Sequence, residues 1–109
     1  MIELIVLEYL KSALDVPVHM EKPTDESEYV LIEKTGSGVE NYINDATFAV
    51  QSYATSMYDA AVLNEKVKEA MRALPALRDI SRCSLNSDYN FTDTTTKEYR
   101  YQAVFDLVY

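Results

Sequence analysis

A single cysteine, Cys83, leaves the chain without an internal disulfide or a multi-cysteine metal site. On its own it reads as a small, half-buried strand residue. Histidine is equally scarce: zinc ligation and Ser-His-Asp chemistry would both have to hang on His19. Only two glycines are present, Gly36 and Gly38, so a glycine-rich phosphate loop has no material. Apolar runs such as Leu4 to Leu7 are far too short to cross a bilayer, and no membrane partner is expected. The start, MIELIVLEYLKSAL, carries Glu3 and Glu8 and lacks a basic leader or a small-residue cleavage site, which predicts folding in a cytoplasm. The sequon Asn90-Phe91-Thr92 is accidental in such a chain. There are no internal repeats.

What the chain does have is acid, unevenly placed. Its 109 residues suit one domain, 1–109, with a formal charge of −8. Residues 1–45 hold ten acids against three bases, whereas residues 46–109 hold eight against seven. Within 65–82, Lys66, Lys68, Arg72, Arg78 and Arg82 face Glu65, Glu69 and Asp79, giving a mildly basic shoulder. An acidic surface releases no counterions from DNA, which argues against ordinary nucleic-acid binding.

Hydrophobic spacing sets the elements. Ile2, Ile5, Val6, Tyr9, Leu10, Ala13 and Leu14 form a helical stripe over residues 2–14, with Glu8, Lys11, Ser12 and Asp15 opposite. Pro17 stops that helix and leaves VPVHM as a short edge strand. YVLIEKT, residues 29–35, reads as a well-covered strand followed by a turn at Gly36-Ser37-Gly38. After an irregular VENYIND, a third strand is predicted over 46–54. Ser56 caps a second helix with Asp59 three residues on, and Ala60, Leu63, Val67, Ala70, Met71 and Leu74 make its core stripe up to Pro75. A fourth strand over 80–85, a long polar loop over 86–98 and the alternating YRYQAVFDLVY complete a closing hairpin. The fold class is α+β: two helices on one face of a mostly antiparallel sheet of four to five strands, in the order α-β-β-β-α-β-β.

The run "VPVHMEKP" into "YVLIEKTGSG", then "FAVQSYATSMYDAAVLNEKVKEAM" and a hairpin ending "YRYQAVFDLVY", resembles the small tail-terminator and tail-completion proteins of long-tailed phages and of prophages in Gram-positive bacteria. The likeness covers nearly the whole chain, and its most family-like piece is the strand-to-helix junction over residues 48–71. It implies a ring, typically of six subunits, on the head-proximal end of the tail tube. Such a ring stops tube polymerisation and presents a surface to the head connector. Its partners are therefore other copies of the chain, the tail tube protein and the head-tail connector protein, with DNA only passing through the channel. The family has no catalytic residues to carry over, and no enzyme activity, cofactor or metal is expected. The resemblance places the chain in the host cytoplasm during assembly and then in the virion tail.

Candidate interface residues follow from charge and aromatic content. A heterologous ring contact joins two different patches, and the acidic Asp25, Glu26 and Glu28 would complement the basic Lys68, Arg72 and Arg78. Those carboxylates would alternatively line the channel and repel DNA, although simple solvation of the outer surface is the preferred expectation for them. Tyr89 and Phe91, in the long loop, would reach over a neighbour or the tube. Other readings compete, one within the phage class and two outside it. A neighbouring connector or minor tail protein would share this description, and a DNA-mimicking inhibitor would need phosphate-like carboxylate spacing, which here is dense only from Glu21 to Glu33 and is interrupted by bases. An enzyme would have to use His19, a tyrosine or a carboxylate pair, and no spacing recommends one.

Overall fold

Alternation over the third and last strands puts Phe48 opposite Phe105 at the centre of a five-stranded sheet. The computed structural model describes residues 1–109. Its elements are α1 (Ile2–Ala13), β1 (Val18–His19), β2 (Tyr29–Glu40), β3 (Ile43–Ala54), α2 (Met57–Arg72), a 3-10 turn at Leu74–Ala76, β4 (Arg82–Asn90) and β5 (Tyr99–Val108). Across the sheet they lie in the order β1-β2-β3-β5-β4, with every pairing antiparallel except β1 with β2. The expected α+β class and element order are present. No helix is long and apolar enough to cross a membrane.

Period two sends Val30, Ile32, Phe48, Val50, Phe105 and Leu107 to the face that both helices cover. They meet Ile2, Val6 and Leu10 of α1 and Leu63, Val67 and Met71 of α2, all buried. Removing each large apolar side chain from water stabilises the fold by about 1.5–3 kcal/mol. Two polar ties fix the helices: Tyr9 Oη donates to the Ala70 carbonyl at 2.6 Å, and Lys34 of β2 pairs with Glu3 of α1 at 3.0 Å. The Ser56 cap is as expected, with Ser56 Oγ accepting from the Asp59 amide at 3.1 Å. The first helix ends one residue early, because Leu14 turns extended at φ −114° to bury its side chain while Ala13 stays exposed.

Strand boundaries differ further from the sequence reading. Gly36-Ser37-Gly38 is strand, not turn: β2 and β3 stay paired out to Glu40 opposite Ile43, and β3 starts at Ile43 instead of Ala46. The reversal is Asn41-Tyr42, whose φ values of 52° and 66° are the left-handed pair that a two-residue hairpin turn demands. Neither glycine takes a positive φ. Gly36 borders a register shift after Lys34, and a Cβ on Gly38 would sit 3.3 Å from Asp45 Oδ1, so both are places of irregular or close strand contact. The fourth strand runs over 82–90 instead of 80–85, which reduces the expected loop of 86–98 to residues 91–98 and puts Tyr89 on a strand. β4 is an edge strand, almost wholly exposed and bulged between Leu85 and Ser87, so it shows no apolar alternation to read.

Phe48 is fully buried between the helices and Phe105. Phe48→Ala is expected to lower unfolding free energy by about 3–5 kcal/mol, read as an earlier urea midpoint in far-ultraviolet circular dichroism. A loss under 1 kcal/mol would mean that the helices do not close on this residue.

Candidate functional site: an uncovered sheet face and its projecting arm

The face away from the helices carries no helix, and it is ordered by its own side chains. Tyr29 of β2 stacks on Tyr53 of β3, with ring centroids 4.5 Å apart. Arg100 of β5 donates from Nη1 to Tyr53 Oη at 2.9 Å and from Nε to the Phe91 carbonyl at 2.7 Å, and its guanidinium lies 4.5 Å from the Phe91 ring. Tyr53 Oη in turn donates to Gln51 Oε1 at 2.9 Å, Gln51 Nε2 donates to Gln102 Oε1 at 2.8 Å, and Gln102 Nε2 reaches the Tyr89 hydroxyl. The circuit satisfies donors and acceptors across β3, β5 and β4, and the Tyr29 ring stacks onto it from β2, which holds the aromatic rings in fixed places.

The segment after β4 is tied down as well. Asp93 accepts from the amides of Thr95 and Thr96 and, at 2.6 Å, from the Thr95 hydroxyl. These bonds hold its carboxyl below the usual carboxylate range. Residues 91–98 therefore form a closed turn, with Asp93 bridged to Glu98.

At the other end of the face, Asp106 accepts from Thr47 Oγ1 and from Asn86 Nδ2, each at 3.0 Å. A shallow hollow of about 550 Å³ opens there between Glu40 and Ile43 of the hairpin and Arg82 and Ser84 of β4. Beyond it the β2–β3 hairpin outruns the sheet, and every residue from Thr35 to Asp45 is exposed. Val39, Tyr42 and Ile43 are the bare apolar side chains of this arm.

The predicted interface residues fall into three separate places. Asp25, Glu26 and Glu28 lie on the β1–β2 connection, where Glu26 meets His19 Nε2 at 2.7 Å. Lys68 and Arg72 stand on α2, which packs on β3, β5 and β4, and Arg78 follows the 3-10 turn. Lys68 is engaged within the chain, at 2.9 Å from both Asp88 and Glu65, and Asp88 also accepts from the buried Asn64 at 3.0 Å. Lys68 foremost, then Asn64, keeps the Asp88 carboxyl below its ordinary value. Tyr89 and Phe91 do meet, edge to face at 5.9 Å, and Arg100 joins them. Sequence reasoning missed Tyr29, Tyr53 and Arg100 as one site. The only signal was the second face of the alternating last strand.

No three histidine, cysteine or acidic side chains gather to hold a metal. Cys83 is half-buried on β4, and burial, with Asp106 nearby, pushes its thiol up to about 11. The sequence matches no protein-family profile and no curated protein.

Burial pushes the Tyr29 phenol up to about 12, with the Tyr53 phenol adding to the effect. A raised folded value stabilises the neutral form, so this contribution is complete below pH 10 and is lost as pH rises toward about 12. Phenolate absorbance should show at least one tyrosine titrating late, and Tyr29→Phe should remove that late step. An unchanged titration curve in the variant would contradict the stacked, buried placement.

Proposed function

We propose that this protein is a structural assembly protein of the phage tail-terminator kind. Copies close into a ring on the head-proximal end of a tail tube, stop its growth and offer a joining surface to the head connector. Its place is the host cytoplasm during assembly and then the head-tail junction of the virion. The element order that carries the resemblance is α-β-β-β-α-β-β.

The observation that carries this reading is the tip of the arm. Tyr42 is fully exposed and sits at a φ of 66°. A left-handed backbone costs an L-residue with a side chain about 1–2 kcal/mol, and glycine almost nothing. Folding alone would favour glycine there. A large amphipathic ring, kept at a backbone cost on a two-stranded lever beyond its own core, serves contact with another molecule. In a ring the arm reaches either the adjacent subunit or the tube. DNA needs only to pass: Asp25 and Glu28 are exposed carboxylates and would repel phosphates wherever they face the channel.

Tyr42→Gly separates contact from folding. Its stability should be unchanged or higher by about 1 kcal/mol, while tubes grown with the variant should lose their fixed length in electron micrographs. Tubes of normal length, capped as well by the variant as by the natural chain, would overturn the role of the arm in termination.

A further inference from the structure

The sheet ends in two unpaired strand edges that match one another. β4 pairs only with β5, so its outer edge is free over its nine residues, Arg82–Asn90. On the opposite side, β1 covers β2 only at Val30 and Leu31 and leaves Ile32–Glu40 open. Three successive antiparallel pairings make β4 run opposite to β2. A second copy set beside the first with its strands aligned therefore brings β4 antiparallel to β2, at ordinary strand spacing.

We infer that a second copy of this chain docks by strand addition, β4 of one subunit pairing with the distal half of β2 of the next. The pairing deepens the ring reading above and rests on it for closure. The contact is heterologous, since two different edges meet, and repeating it gives a ring when the rotation closes.

The side chains select a register. Within one subunit Arg82 lies level with Gly38, through Val108 and Asp45. An in-line neighbour would run the far end of its β4 into the stretch that β1 already occupies. Sliding by two residues avoids this and keeps each face on its own side, as a slide by one would not. Arg82 then stands beside Glu40 on the uncovered face. Both are exposed, and neither has an ion pair within its own chain. On the helix side, Val39 lies diagonal to Leu85, and each is a bare apolar residue in the single subunit, at 71% and 47% exposure. The two strand irregularities, after Lys34 and after Leu85, come next to each other in this register, so the new ladder is interrupted once. Charge agrees on balance with the polarity of the contact: Arg72, Arg78 and Arg82 outnumber Asp79 on the β4 side, and Glu33 and Glu40 lie on the β2 side.

The test is a charge exchange read by light scattering and native mass spectrometry on the full chain. The natural protein is expected to self-associate, Arg82→Glu and Glu40→Arg to weaken association about tenfold or more each, and the double variant to regain it. Both positions are exposed, so circular dichroism should show all three variants folded. In a Cys83→Ser background, Arg82→Cys with Glu40→Cys should cross-link under mild oxidation into species larger than dimers. Singles that associate normally, cross-linking that stops at a symmetric dimer, or a natural chain that stays monomeric at about 1 mM would each overturn the pairing. Rings seen by electron microscopy despite inert singles would leave the terminator reading standing on another contact. Open cross-linked strings would support the pairing and end the terminator reading.

Discussion

The pairing of β3 with β5 is the constraint on which the rest depends. Ten consecutive residue pairs join them, from Asp45 opposite Val108 to Ala54 opposite Tyr99. Because side chains alternate, that one register sends Phe48, Val50, Ala103, Phe105 and Leu107 under the helices and Gln51, Tyr53, Arg100 and Gln102 to the opposite side. A slip of a single residue would exchange the two sets, burying an arginine and two glutamines without partners. The core and the candidate site are therefore two faces of one hydrogen-bonded ladder.

The ladder also explains why the uncovered face can stay uncovered. Its long polar side chains are joined to each other, and its aromatic rings stack on neighbours across strands, as Tyr29 does on Tyr53. Such a surface needs no helix to be ordered. It presents fixed rings and satisfied amides. The hairpin arm extends the same ladder past the end of β5, so a bare tip is held by strand pairing and not by packing.

Legibility followed burial. Both helices, the centre of β2 and all of β5 were readable because each buries a periodic apolar stripe, and the Ser56 cap was readable because its hydrogen-bonding chemistry is local. The arm and β4 were not. Residues 35–45 and 82–90 are almost entirely exposed, so no alternation of apolar and polar residues marks them. The turn was misplaced for a related reason. Gly36 and Gly38 are the usual turn signals, yet the left-handed positions fell to Asn41 and Tyr42, which are set by where the strands stop pairing.

Composition alone determined that this chain forms no internal disulfide, carries net acid and holds enough periodic apolar residues for one α+β core, because those properties depend on residue type and local spacing. Tertiary structure alone decided which charges meet and which side chains are left bare. Lys68, a candidate interface residue, pairs with Asp88 twenty residues away in sequence, whereas Arg82 and Glu40 have no ion pair within the chain. Contacts of that kind are set by the packing of distant segments, and no local pattern encodes them.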